Sequence, residues 1–213
     1  MITRIYPEEF LPSLLKHISD EYGFVIFVNG LFNLNIIGCR NPLGTPNKFD
    51  DKLHVIYKCN HSETDTIVWK EVIYDCTMDP GNYWLEHGTR RDGCAIIAHP
   101  QQCRGAYKLD LHRGQYLALC HRLQPVQVWR DKNKDTTADI GGTTGQLFTV
   151  NSGINIHRAS ANFTSQNVNR YSAGCTVLNS KPDFDHFINL CKSQTNHGQG
   201  SSYTYTVIQG SFI

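Results

Sequence analysis

Between residues 24 and 150 the chain is built from short runs rich in Val, Ile, Tyr and Trp, and each run stops at turn chemistry. The runs include FVIFV, LHVIYKC, IVWKEVIYDC, GCAIIAH, QYLALCHR and PVQVWRD; the stops include NPLGTPN, NHSETD, MDPGN, RRDG and DKNKD. β-Branched and aromatic side chains suit a pleated, half-buried surface. Gly, Pro, Asn and Asp supply the backbone conformations that reverse a chain. No fixed period repeats, which rules out a solenoid or a propeller.

Helical spacing is confined to the two ends. Over 7–21, apolar residues at 10, 11, 14, 15 and 18 follow two acids and precede Gly23, predicting an amphipathic helix with Pro12 in its first turns. Over 182–195, Phe184, Phe187, Ile188 and Cys191 share one face behind Pro182 and Asp183, predicting a second helix. YTYTVI then alternates as a closing strand should. The expectation is a β-rich α+β fold in one domain over 1–213, with a helical segment over 1–23 and a β-rich body over 24–213.

Charge and hydropathy narrow the partners. A formal net charge of +1 gives no global reason to expect nucleic acid, and the aromatics of 104–130 alternate as strand core would. The longest apolar stretch, 24–37, is broken by Asn29, Gly30, Asn33 and Asn35 and reads as one or two buried strands, so no membrane span is expected. The opening MITRIYPEEF has no apolar core and no small-residue cleavage site, so no secretory signal is expected. Eight cysteines occur without a C-x-x-C pair, which points to reduced, buried fillers rather than to a zinc ribbon.

One histidine and one cysteine carry the chemical signal. His157 closes the alternation Ile154-Asn155-Ile156-His157, and Cys175 ends Ser172-Ala173-Gly174-Cys175, eighteen positions further on. A thiol attacks as thiolate; a neighbouring imidazole lowers its pKa and accepts its proton. The small residues before the cysteine leave room for a substrate carbonyl. The plain alternative is a buried core thiol and a strand-end histidine.

This arrangement resembles the L,D-transpeptidase catalytic domain, in which a histidine is followed by Ser/Thr-x-Gly-Cys. The resemblance implies an L,D-transpeptidase-like β-sandwich with Cys175 as nucleophile and His157 as base. It implies that the Arg158 carbonyl orients the imidazole and that backbone N–H groups around Gly174 and Cys175 hold the oxyanion. Ser172, Ala173 and Arg170 would contact substrate, with Arg158 or Arg170 offering a charge to a stem-peptide carboxylate. Two positions depart from the family: Ala173 stands where histidine is frequent, and Val177 where Arg or Asn is usual. Upstream segments such as YDCTMDPGNYWLEHG and GAYKLDLHRGQYLALCHR look like those of phage and prophage proteins. The implied partner is bacterial peptidoglycan, with other virion proteins as further partners, and the implied location is a phage virion or the host envelope.

The remaining candidates read as structure. His112-Arg113-Gly114 sits between two strand candidates and reads as a polar hairpin turn, with a place in the substrate groove as the alternative. His99-Pro100 reads as a structural strand end. Asp131, Asn133, Asp135, Thr137 and Asp139 alternate like the first part of a calcium loop, but Thr136 and Gly142 occupy the positions that need Gly and Glu, so a solvated hairpin is preferred. There is no H-E-x-x-H, and neither a cofactor nor a catalytic metal is expected. The leading function is a peptidoglycan-active cysteine enzyme, hydrolytic in a phage setting; the other is a non-catalytic virion or wall-binding protein on the same fold.

Overall fold

The computed structural model describes residues 1–88, 90–210 and 212. In chain order the elements are β1 (Ile2–Pro7), α1 (Ser13–Tyr22), β2 (Asn35–Arg40), β3 (Asp51–Asn60), β4 (Ile67–Thr77), α2 (Asn82–His87), β5 (Cys94–Ile97) and β6 (Gln101–His112). They continue with β7 (Tyr116–His121), β8 (Val126–Asp131), β9 (Phe148–Val150), β10 (Ile156–Arg158), β11 (Thr176–Leu178), α3 (Lys181–Asn196) and β12 (Tyr203–Gln209). Each run of β-branched and aromatic residues named above contributes a strand, except FVIFV.

The main sheet has the order β1-β4-β11-β10-β7-β6-β12-β2-β3, and β3 pairs back onto β4. Eight strands therefore form a closed ring, with β1 left on its outside. Strand β4 makes this possible by its length. One side pairs with β3 throughout; the other pairs first with β1 and then, at Cys76 and Thr77, with β11. All neighbours are antiparallel except β10–β11 and β12–β2. A separate sheet, β5-β8-β9, packs Ala95, Ile97, Val126 and Val128 into the same core.

Side chains alternate across the ring as the pleat requires. From β3, Leu53, Val55 and Tyr57 enter the main core, where Phe184, Phe187, Ile188 and Cys191 of α3 also pack. Ile56 points the other way, and with Ile37, Cys39, Trp69 and Ile208 it receives Leu14, Leu15 and Ile18 of α1. Gly38 on β2 leaves room for the core: a Cβ there would lie 2.2 Å from the Tyr205 hydroxyl. The chain is thus α+β and β-rich, with a core made mostly by sheet. Among the described residues no helix is long and apolar enough to cross a membrane.

Three expectations need correction. The first helix begins at Ser13 rather than Pro7, and Ile2–Pro7 is a strand in register with β4, Ile2 opposite Ile73. Pro12 is the reason: it disfavours helical backbone at the residue before it and tolerates only a helix start, where its own φ of −54° fits. Second, residues 24–28 form no strand. Side-chain amides pair with this segment instead: Asn35 receives the Phe27 N–H at 2.7 Å and donates to the Phe27 carbonyl at 2.9 Å. Gln102 does the same for Val25 at 3.2 and 2.8 Å. Third, a short helix, α2, starts at Asn82, the last residue of the expected turn at MDPGN. The second long helix stands at Lys181–Asn196, where the Ser180 side chain accepts from the Asp183 N–H. All eight cysteines are free; seven are buried and Cys175 alone is partly exposed.

Candidate active site

The site is built on the parallel pair β10–β11, which places Ile156 opposite Thr176 and His157 opposite Val177. The residues just before these strands come side by side. The Thr176 N–H donates to the Asn155 carbonyl at 3.0 Å, and the Asn155 N–H donates to Cys175 Sγ at 3.4 Å. Below, the Thr176 hydroxyl meets the Tyr205 hydroxyl at 2.9 Å, tying this corner to the interior of the ring.

Cys175 is presented by a turn held by the Ser172 hydroxyl and permitted by Gly174. The Ser172 hydroxyl accepts from the Gly174 N–H at 3.2 Å and donates to the Cys175 carbonyl at 2.8 Å. Gly174 has φ +113°, and a Cβ on it would lie 2.3 Å from the Ala95 carbonyl oxygen of β5. Any other residue would be strained and would push the turn off β5.

His157 is oriented from behind. Its Nδ1 lies 2.9 Å from the Arg158 carbonyl oxygen. A carbonyl only accepts, so Nδ1 carries the proton and Nε2 is left as the basic nitrogen. The opposite face of the site stacks His112 on His157, with ring centroids 4.3 Å apart and planes inclined by 23°. Burial, and then the neighbouring His112, push the His157 pKa down to about 3.

The thiol departs from expectation. Burial pushes the Cys175 pKa up to about 11, and the Asn155 N–H offsets only part of that. Its S–H donates to the Gly153 carbonyl at 3.2 Å, and among the described residues no hydrogen bond joins it to His157. The expected lowering of the thiol pKa by imidazole is therefore absent in the resting state. Both groups are neutral, because a buried site disfavours either charge without a paired partner.

Cys175 and His157 open on a cleft of about 540 Å³. Its wall carries Arg113, Arg122 and Arg170 and, among the described residues, no Asp or Glu. Arg122 is held by Asp110, Nε to Oδ2 at 3.1 Å, and Arg170 lies 3.9 Å over the Tyr83 ring. Such a wall favours an anionic group on whatever enters.

The residues expected from sequence divide into two sets. Cys175, His157, Arg170 and Ala173 line the cleft. Ser172 and Gly174 lie beneath it, both buried, and hold the turn. The Gly174 N–H is engaged by Ser172, so it does not face an oxyanion; among the described residues the Cys175 N–H has no acceptor. Arg158 serves the site through its carbonyl alone. Its guanidinium stacks 4.2 Å over Tyr116 and lines a different groove, so of the two arginines expected to offer a charge it is Arg170 that lines the cleft.

Sequence reading missed five side chains of the cleft wall: Asn155, Arg122, Trp84, Tyr171 and Ser152. Its two readings of His112 and Arg113, a hairpin turn and a place in the groove, coexist in the structure. The hairpin exists, with the Gln115 N–H on the His112 carbonyl at 3.0 Å, yet both side chains line the cleft. Asn155 was the available signal, a polar residue between two isoleucines. His99 lies away from the cleft, edge-on to Trp129, and burial lowers its pKa to about 4. In the 131–139 segment, Asp131 accepts from the Asp139 N–H, and Asn133 donates to Asp135 and Asp139. Among the described residues no group of three His, Cys, Asp or Glu is placed to hold a metal. Compared with known proteins, the chain matches no family model, no curated protein and no solved structure.

Proposed function

We propose that this protein is a cysteine acyl-transfer enzyme of L,D-transpeptidase type acting on peptidoglycan stem peptides. The observation that carries the reading is the His157 imidazole, oriented by the Arg158 carbonyl with its basic nitrogen free, in one cleft with the least buried cysteine of the chain. Cys175 Sγ attacks the carbonyl of the third stem residue as its proton passes to His157 Nε2. The tetrahedral intermediate collapses to a thioester, and His157 returns the proton to the departing amine. Water or an acceptor amine then resolves the thioester, giving hydrolysis or exchange. The arginine-lined wall suits the carboxylates of stem peptides. A phage setting, which the look of the upstream segments suggests, would favour hydrolysis, with action from a virion or after release to the host envelope.

The resting thiol supports a second reading. Neutral, and bonded to the Gly153 carbonyl, it suits a wall-binding or virion structural protein that does no chemistry. Digestion of purified sacculi and muropeptides, read by mass spectrometry, separates the two. The enzyme changes stem length or cross-linking with wild type and not with Cys175→Ala or His157→Ala. Unchanged muropeptides across several wall chemistries, together with retained sacculus binding, refute the enzyme.

A further inference from the structure

Acyl transfer needs donors aimed at the oxygen that becomes negative. The turn that presents Cys175 supplies few. The Gly174 N–H donates to Ser172, and the Ser172 hydroxyl donates to the Cys175 carbonyl. The Cys175 N–H remains, and one donor is less than such a step uses.

His112 lies across the same cleft, at the end of β6, and Asn155 fixes its state. Asn155 Oδ1 accepts from the His121 N–H at 3.0 Å and from Arg122 Nη1 at 3.5 Å. The amide nitrogen must therefore be the atom 3.3 Å from His112 Nδ1, and it donates. With Nδ1 accepting, the neutral His112 ring carries its proton on Nε2. That nitrogen has no partner among the described residues and is not a buried orphan, and His112 lines the cleft, which leaves Nε2–H available to a group bound there. Asn155 thus touches both groups, through its N–H on the Cys175 sulfur and its side chain on His112.

We infer that His112 is a second catalytic histidine, whose Nε2–H joins the Cys175 N–H in holding the oxyanion formed when Cys175 attacks a carbonyl. The inference rests on the cysteine acyl-transfer reading above. It also gives the stacked pair a division of labour. His157 takes the thiol proton and becomes cationic; His112, 4.3 Å away, must then stay neutral. Asn155 donating to Nδ1 keeps it so, and burial with Arg113, Arg122 and Arg158 nearby acts in the same direction.

Two reactions of the same sulfur test this. Acylation by p-nitrophenyl acetate forms an S–C bond, builds an oxyanion, and expels p-nitrophenolate as the C–O bond breaks, with the thiol proton passing to His157. Alkylation by iodoacetamide displaces iodide and builds no oxyanion. His112→Ala is expected to slow acylation about 100-fold while alkylation of Cys175 stays within about threefold. His112→Gln keeps an N–H donor and is expected to recover acylation to within about tenfold of wild type. Acylation of His112→Ala at the wild-type rate overturns the inference. Parallel loss of both reactions in both variants overturns it too, because that marks a merely structural residue. If wild type and Cys175→Ala release p-nitrophenolate equally while Cys175 still alkylates, the acyl-transfer reading itself fails and this inference falls with it.

Discussion

The pH dependence of Cys175 alkylation distinguishes a neutral thiol from a pre-formed thiolate–imidazolium pair. With the thiol pushed up to about 11 and the imidazole down to about 3, moving the proton from sulfur to nitrogen is uphill at rest. At pH 7.5 the thiolate fraction is about 0.03%, against about 10% for an ordinary thiol. Iodoacetamide should therefore label native Cys175 about 300-fold more slowly than a free cysteine at the same pH, on thiolate fraction alone. The sign follows from a raised pKa: the rate climbs about tenfold per unit from pH 6 to 10 without levelling. His157→Ala should leave that rate within about threefold, since a neutral imidazole holds no thiolate in place. Mass spectrometry of tryptic peptides assigns the label, as the other seven cysteines are buried. A plateau below pH 7, lost in His157→Ala, would refute the reasoning and establish a resting ion pair. On the acyl-transfer reading proposed above, a neutral pair would leave proton transfer to be triggered by bound substrate, with the S–C bond forming as the proton leaves.

Two further outcomes concern stability. Gly38→Ala places a Cβ 2.2 Å from the Tyr205 hydroxyl and should cost about 1–3 kcal/mol. Tyr205→Phe removes that oxygen, so in urea denaturation the double variant should lose less than the sum of the singles; strict additivity would sink the packing argument. Acid should also weaken the fold. His157 and His99 sit at about 3 and about 4, below the unfolded value, so the unfolded chain binds more protons as pH falls from about 6.5 toward 4. Asp51, raised to about 7 by burial and then by Asp79, works in the opposite direction over the same window. Burial also lowers His112, His121 and His186 and raises Asp79 and Asp131, so five histidines against three carboxyls leave a net loss of stability as pH falls. Urea midpoints that are flat or rising between pH 6.5 and 4.5 would contradict the assignment.

The strands were legible because a two-residue period shows in any half-buried run. β3, β4, β7 and β8 fall where Val, Ile, Tyr and Trp cluster. The ring was not legible, because its closure joins β12 to β2 and β11 to β4, pairings set by distant segments rather than local pattern. Residues 24–28 have every local mark of a strand and lose it to the amides of Asn35 and Gln102, which no periodicity reveals. At the site, His157 and Cys175 were readable from their spacing. His112 was not: it reaches His157 because β6 pairs with β7 and β7 with β10, Leu119 standing opposite Ile156. The thiol's high pKa was hidden for a related reason, since burial belongs to the packed cleft and not to a motif.

Closure of the ring by β12 has a consequence in time. A ribosome makes β2 and β6 long before it makes Tyr203–Gln209, which pairs with both. During that interval two strands each lack a neighbour, and unpaired strand edges are templates for aggregation. The Thr176 hydroxyl also waits, for its partner Tyr205 lies on the same late strand. Nascent chains stalled before residue 203 should therefore hold a sheet with two open edges, and the turn bearing Cys175 should gain its anchor only when the last strand enters.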